Sequence, residues 1–149
     1  MSSARTLELL IERATEAYDE ATRALGLATS YLDQQAQKLG MLENYRLEYR
    51  KRMESSAGAG LHINELMNFR RFLGQLDQAV DQQARARDHA ESACAAARQR
   101  WQDRHRELKS FEILATRRVK AAEKVAAKKE QNESDGYAAR IALHRKSPF

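Results

Sequence analysis

Residues that interrupt helices are rare in this sequence. The 149 residues include one proline and six glycines, whereas 42% are hydrophobic and 32% are charged. A chain so poor in helix-breaking residues and so rich in charge is typical of helical, coiled-coil proteins rather than of compact globular domains. We therefore expect an all-α protein with a core of limited size.

Cysteine is almost absent, and histidine is scattered. Cys94 is the single cysteine, so an internal disulfide is excluded and a reducing compartment fits best. The four histidines, at positions 62, 89, 105 and 144, include no pair at the spacing of metal ligands. No phosphate-binding glycine-rich motif and no Ser/His/Asp or Cys/His set can be assembled from the spacing. The sequence predicts a protein that is not an enzyme and that has no cofactor or metal site.

Long hydrophobic runs are missing as well. The first 20 residues contain no run of seven apolar residues, which argues against a signal peptide. No stretch approaches the roughly 18 apolar residues that a membrane span requires. We expect a soluble, cytoplasmic protein without membrane insertion.

Positive charge is concentrated in the last third of the chain. The formal net charge is +5, and residues 1–97 contribute −2 whereas residues 98–149 contribute +7. A basic segment of this kind suits nucleic acid, an acidic membrane surface or an acidic protein groove, and charge alone does not choose among them.

Apolar residues recur at alternating steps of four and three from Leu7 to Met53. Only Gln35 and Arg46 interrupt this series over more than six heptads. Such spacing keeps one stripe of a helix facing a partner helix, as in a coiled coil. The members of this first seam are Leu7, Ile11, Ala14, Tyr18, Ala21, Leu25, Ala28, Leu32, Gln35, Leu39, Leu42, Arg46, Tyr49 and Met53.

A second seam begins near Asn64, a good helix N-cap residue, and weakens toward its end. Two helices joined by a short loop are most simply antiparallel, so residues whose numbers add to about 117 should lie side by side. The members of the second seam are Leu66, Phe69, Leu73, Leu76, Val80, Gln83, Arg87, Ala90, Cys94, Ala97, Trp101, Arg104, Leu108, Phe111, Ala115, Arg118, Ala122, Val125 and Lys129.

The two seams predict a long two-helix antiparallel coiled-coil hairpin with a C-terminal helical overhang, in a single domain. The pairing leaves residues after about Phe111 without a partner from the first helix, and many basic residues lie there. The expected boundaries are about 5–54 for helix 1, 55–62 for the turn, 64–130 for helix 2 and 131–149 for a frayed tail.

The two flanks of the seam differ in polarity. In heptad notation the g positions of both helices line one flank and the e positions line the other. The g flank carries apolar residues such as Tyr31, Tyr45 and Phe72, whereas the e flank is largely polar. Two helices cannot bury an apolar flank by themselves. Either another protein covers it, or the C-terminal tail folds back over it as a third helix.

Residues around the turn resemble the FliJ family of flagellar export proteins. The specific part of the resemblance covers about residues 38–83, and the length and the scarcity of proline also match. The residues that carry it are Leu39, Met41, Leu42, Tyr45, Glu48, Tyr49, Arg50, Gly58, Gly60, Asn64, Asn68, Phe69, Phe72, Leu76 and Ala79.

The resemblance implies a stalk-like antiparallel coiled coil, similar in shape to the central stalk of rotary ATPases. Its open end, carrying both termini, is then expected to enter the hexameric flagellar export ATPase, while a face close to the turn contacts the membrane export gate. Escort of export chaperones is implied too, as is a peripheral position on the cytoplasmic side of the cell membrane at the flagellar base. We expect a monomer when the protein is alone.

Two sets of partner-binding residues follow from the resemblance. The implied export-gate residues are Leu42, Tyr45, Tyr49, Phe72, Leu76 and Ala79. The implied ATPase-binding residues are Arg117, Arg118, Lys120, Lys124, Lys128 and Lys129.

The interpretation as an export stalk involves no nucleic acid. Two other functions are alternatives to it. One is the equivalent stalk of a virulence type III secretion system. The other is a nucleic-acid-binding coiled coil that uses the basic C-terminal segment, although that segment has no interleaved aromatic residues beyond Phe111.

Overall fold

Two long helices make up the fold. The structure is a computed structural model that describes residues 2–146. Helix α1 spans Ser3–Gly58 and helix α2 spans Ile63–Lys146, and no strand occurs within the described range. The predicted fold class, an all-α antiparallel helical hairpin, is confirmed.

The turn between the helices is shorter than the sequence predicted, since only residues 59–62 are non-helical. The N–H of Ala59 donates to the carbonyl of Ser56 at 3.1 Å, and the N–H of Gly60 donates to Ala57 at 3.4 Å. Each of these bonds joins a residue to the third residue before it, as in a 3₁₀ turn. They satisfy carbonyl groups at the end of α1 and allow the helix to continue to Gly58. Gly60 then reverses the chain with a φ of 88°, a left-handed conformation that suits glycine.

Helix α2 begins one residue before the predicted N-cap, Asn64. The N–H of Leu66 donates to the carbonyl of His62 at 3.1 Å, so the first helical bond starts from His62. At its other end the prediction of a frayed tail from residue 131 is wrong for the described residues, because α2 continues to Lys146.

The helix persists there because its weak helix formers make up only a short stretch. Asn132, Ser134, Asp135 and Gly136 each cost at most about 1 kcal/mol relative to alanine, and an alanine-rich stretch follows them. Since α2 is unbroken, residues 131–146 do not fold back over the g flank as a third helix. The part of the tail prediction that concerns residues 147–149 lies outside the described residues.

Both helices contribute to two compact units. The turn unit is Ala17–Arg104, and the terminal unit comprises the described residues of Met1–Glu16 and His105–Phe149. The single domain expected from the sequence stays a prediction.

The turn unit contains the larger part of the seam. Every predicted seam residue from Tyr18 to Met53 and from Leu66 to Trp101 is buried or half-buried. The indole of Trp101 lies 6.0 Å from the ring of Tyr18 and donates from Nε1 to Oγ1 of Thr22 at 3.0 Å. The spacing of four and three therefore identified the packed face of both helices.

Two seam residues of the turn unit are polar, and they satisfy each other. Gln35 is only 6% exposed. Nε2 of Gln83 donates to the backbone carbonyl of Gln35 at 3.0 Å and to its Oε1 at 2.8 Å. A buried amide in a coiled-coil seam favours one alignment of the helices, because any shift would leave it without a partner.

Packing in the terminal unit extends further along α2 than expected. Phe111 and Ala115 are half-buried, and Nη1 of Arg118 donates to the backbone carbonyl of Ser3 at 2.8 Å. The numbers of Ser3 and Arg118 add to 121, about one helical turn beyond 117, and the long Arg118 side chain spans that distance. The unpaired part of α2 therefore begins after Arg118 rather than after Phe111, and the predicted seam members from Arg118 onward are exposed.

Replacing two glycines by alanine tests the backbone conformations described above. A Cβ built on Gly74 meets nothing within 4 Å, and Gly74 lies inside α2. We expect Gly74→Ala to raise the free energy of unfolding by about 1 kcal/mol, because alanine loses less backbone entropy in a helix. Gly60→Ala, also in open space, should lower it by about 1–2 kcal/mol because of its left-handed φ. Urea unfolding measures both, and effects of the same sign would contradict this account.

Candidate functional site

Four aromatic rings form a cluster beside the turn, in the turn unit. This aromatic cluster comprises Tyr45, Tyr49, Phe69 and Phe72. The ring centroid of Tyr49 lies 4.6 Å from Phe72 and 5.2 Å from Phe69. Tyr45 approaches Phe72 edge-on, with centroids 6.2 Å apart and the planes at 88°, the T-shaped geometry that aromatic pairs prefer. The cluster joins both helices just before they reverse.

Heptad position explains what each ring does. Tyr49 and Phe69 occupy seam positions and are half-buried, so they close the seam beneath the turn. Tyr45 and Phe72 occupy g positions on the apolar flank, and Tyr45 is 46% exposed. The prediction that Tyr45 and Phe72 sit side by side is confirmed by their contact.

The six predicted gate residues differ in what they offer to a partner. Leu42, Tyr49, Phe72 and Ala79 are half-buried, and Tyr45 is exposed. Leu76 is only 6% exposed and belongs to the core of the turn unit. Its side chain can support the surface from below but offers little area of its own.

On the other side of the seam, away from the apolar flank, charged side chains of the two helices pair with each other. Nη1 of Arg46 and Nη2 of Arg50 lie 3.4 Å and 3.5 Å from Oδ1 of Asp77. All three side chains are partly exposed, so these ion pairs contribute little stability. They join the two helices at the polar edge of the seam beside the turn, on the side opposite the apolar flank.

A shallow hollow continues the apolar surface away from the turn. Five of its seven lining residues are not among the predicted site residues: Lys38, Met41, Asn44, Glu48 and Gln83. Met41 is 72% exposed and occupies a c position, which neighbours the g position of Tyr45 on the helix surface. For Met41 the signal in the sequence was an apolar residue four positions before a tyrosine at a g position. The hollow is lined by Lys38, Met41, Leu42, Asn44, Tyr45, Glu48 and Gln83.

The basic residues of the terminal unit lie on residues 117–129 of α2, here called the basic segment. All six predicted ATPase-binding residues are exposed. At 100° per residue, Arg117, Lys120, Lys124 and Lys128 fall within about 80° of the helix circumference. Arg118 and Lys129 lie on another face, and Arg118 is already engaged with Ser3. The structure thus distinguishes one basic stripe of four residues within the predicted set.

The described part of the chain shows two further features that bear on function. Among residues 2–146 there is no group of three or more His, Cys, Asp or Glu side chains arranged to hold a metal ion. Neither helix, over the same range, has a segment long and apolar enough to cross a membrane. Cys94 is 5% exposed, with Sγ 3.7 Å from Oγ1 of Thr29, in agreement with its predicted burial.

Comparison with known proteins gives consistent matches over nearly the whole chain. The model of the family described as "Flagellar FliJ protein" matches residues 3–147. The "Flagellar FliJ protein" of Salmonella typhi is 26% identical over 145 residues, which cover 97% of this chain and 99% of that protein. The protein of the same name from Escherichia coli strain K12 is also 26% identical, with the same coverage of both chains.

The aromatic cluster predicts different stability costs for its two tyrosines. Tyr49→Ala should lower the free energy of unfolding by about 2–3 kcal/mol, because it removes a half-buried ring that contacts both phenylalanines. Tyr45→Ala should lower it by about 1 kcal/mol or less, because its ring is half in solvent. Chemical unfolding of both variants measures the difference. Equal costs would mean that the two rings do not have separate roles in packing.

Proposed function

This chain belongs to the flagellar FliJ protein family, whose model covers residues 3–147, and on that premise we propose a coupling role in flagellar protein export. The protein acts without catalysis, as a stalk-like coiled coil that binds the hexameric export ATPase and the membrane export gate. By binding both, it favours ATPase assembly and turnover and promotes export. The same protein escorts export chaperones and works at the cytoplasmic side of the cell membrane, at the flagellar base.

The gate contact is supported by one observation above all, the exposure of Tyr45 beside fixed rings. An exposed aromatic side chain on a narrow helical surface is a strong anchor, because it buries much area with few rotatable bonds. Phe72 and Tyr49 hold the Tyr45 ring in place, so little conformational entropy is lost when a partner covers it. Tyr45, Phe72 and Leu42 supply the contact area in this proposal, with Leu76 supporting them from the core.

The ATPase contact is supported by the exposure and one-sidedness of the basic segment. Four of its side chains share one helix face and make no ion pair with the described residues. Such a stripe complements an acidic surface, and it accelerates encounter as well as binding. In this proposal the stripe of Arg117, Lys120, Lys124 and Lys128 faces the ATPase, and Arg118 anchors the segment to α1 through Ser3.

Gate binding is tested by Tyr45→Ala. We expect a loss of about 2 kcal/mol of binding free energy, or roughly 30-fold in affinity, for the cytoplasmic domain of the gate protein from the same organism. Isothermal titration calorimetry with the purified proteins measures it. The matched control is Leu47→Ala, which removes an exposed apolar side chain of the same helix at a b position, away from the g flank. Weakening by both variants alike would show that this flank has no special role.

The ATPase contact is tested by replacing Arg117, Lys120, Lys124 and Lys128 together by glutamine. These residues are exposed, so the helix should remain folded. At 0.2–1 kcal/mol for each exposed ion pair, we expect the concentration needed for half-maximal stimulation of ATP hydrolysis by the cognate ATPase to rise roughly tenfold.

A charge-matched control separates this site from net charge. Replacing Arg23, Arg85, Arg98 and Arg100 by glutamine removes the same charge from exposed positions of the turn unit. We expect that variant to stimulate hydrolysis as the unaltered protein does. Equal losses in both variants would reduce the effect to overall charge, and no loss in either would exclude the basic stripe from the contact.

A further inference from the structure

An exposed apolar residue followed by an exposed tyrosine four positions later occurs twice on α1. Met41 and Tyr45 form one pair, and Leu27 and Tyr31 form the other, 14 residues earlier. Both pairs occupy c and g positions, so they lie on the same flank of the turn unit, about 21 Å apart along the helix. Leu27 is 74% exposed and Tyr31 is 54% exposed, values close to or above those of Met41 and Tyr45. The apolar surface is therefore repeated rather than confined to the neighbourhood of the turn.

The flank between the two pairs is unusually poor in charge. Across the g and c positions from Ala24 to Tyr45 on α1 and from Phe72 to Ala96 on α2, Lys38 is the one Lys, Arg, Asp or Glu residue. This is unexpected in a chain of which 32% is charged. Alanines at positions 79, 86 and 93 occupy the g positions of α2. Their small side chains allow another backbone to approach closely along this flank.

Lys38 lies midway between the two tyrosines, seven residues from each. Its side chain is exposed and makes no ion pair with any residue in the range 2–146, although it lines the same hollow as Glu48. An unpaired cation at the centre of an apolar surface selects for a partner with a negative charge at the matching position. It also disfavours a symmetric pairing of two copies centred here, which would bring Lys38 against Lys38.

The periodicity indicates the form of that partner. Anchors that repeat after two heptads are matched by another helix running alongside, whose own apolar residues recur at the same interval. The tail of this chain does not supply such a helix, because residues 131–146 continue α2. The occupant must come from another protein.

We propose that the gate-binding surface extends from the aromatic cluster back to Leu27 and Tyr31 and accepts an amphipathic helix of the gate protein with an acidic residue opposite Lys38. This inference rests on the proposed gate contact and adds to it a second anchor, a charge preference and a secondary structure for the partner. The partner helix packs between α1 and the alanines of α2, which makes this stretch locally a three-helix assembly.

The experiment measures the affinity of the full chain for the cytoplasmic domain of the gate protein, in a series of variants. Tyr31→Ala should weaken binding five- to tenfold. Lys38→Gln should weaken it two- to fivefold, and Lys38→Glu at least tenfold, because the reversed charge repels the acidic residue. Raising the salt concentration should weaken the unaltered protein more than Lys38→Gln. Lys51→Glu, an exposed charge reversal at an f position of the same helix, should bind as the unaltered protein does.

The outcomes separate this inference from the proposal on which it rests. If Tyr45→Ala weakens binding while Tyr31→Ala and Lys38→Glu do not, the gate contact stands and its extension along α1 is overturned. If the unaltered chain does not bind the gate domain, both are overturned. If Lys38→Glu strengthens binding, the surface faces a basic partner and the proposed chemistry is wrong.

Discussion

The packing of two heptad seams against each other is the interaction on which the rest of this structure depends. It is built largely from small or medium side chains, such as Ala14, Ala21, Ala90 and Cys94, and they let the helices approach closely. Among the described residues no side chain is less than 2% exposed, so the seam has no fully dry interior. Stability is therefore spread over many half-buried contacts. The Gln35 and Gln83 amides fix the alignment of the helices that these contacts alone leave weakly specified.

A two-helix seam has a consequence that a larger bundle avoids. Each helix turns only one stripe to its partner, so residues at g and e positions stay at the edge of the contact. On the e flank Arg50 and Asp77 form an ion pair that the seam residue Arg46 joins, whereas on the g flank Tyr45 remains half exposed. Packing of Phe72 against Tyr49 explains part of this asymmetry, but the exposed part of Tyr45 is not required for the seam. In the proposed function this exposed part serves the contact with a partner.

The sequence was sufficient to predict whatever depends on periodicity. The four-three spacing identified the buried stripe of both helices in the turn unit, and heptad position predicted that Tyr45 meets Phe72.

Prediction from the sequence was less successful where the outcome depends on small differences in free energy or on the reach of one side chain. The end of α2 was misplaced because a short stretch of weak helix formers, which ends at Gly136, does not stop a helix when the sequence on either side favours it. The unpaired part of α2 begins later than predicted, since a long side chain such as Arg118 reaches Ser3 across about one helical turn. Leu76 is buried as its seam position implies, and its place among the export-gate residues came from the family resemblance rather than from the heptad assignment.

Within the aromatic cluster, Tyr49 is packed and Tyr45 is exposed. This difference determines which of the two positions can change without much loss of stability. Tyr49 contacts both phenylalanines and closes the seam, so its replacement changes folding and binding together. Tyr45 contacts the same cluster from its edge and contributes less to folding. Partner specificity can therefore change at Tyr45 and along the g flank at little cost in stability. Since most substitutions that matter for folding act through buried contacts, a flank outside the seam is free to be selected for recognition alone. A partner helix on the g flank of the turn unit would also supply a third helix beside the two-helix seam, and binding would then stabilise the helices that it recognises.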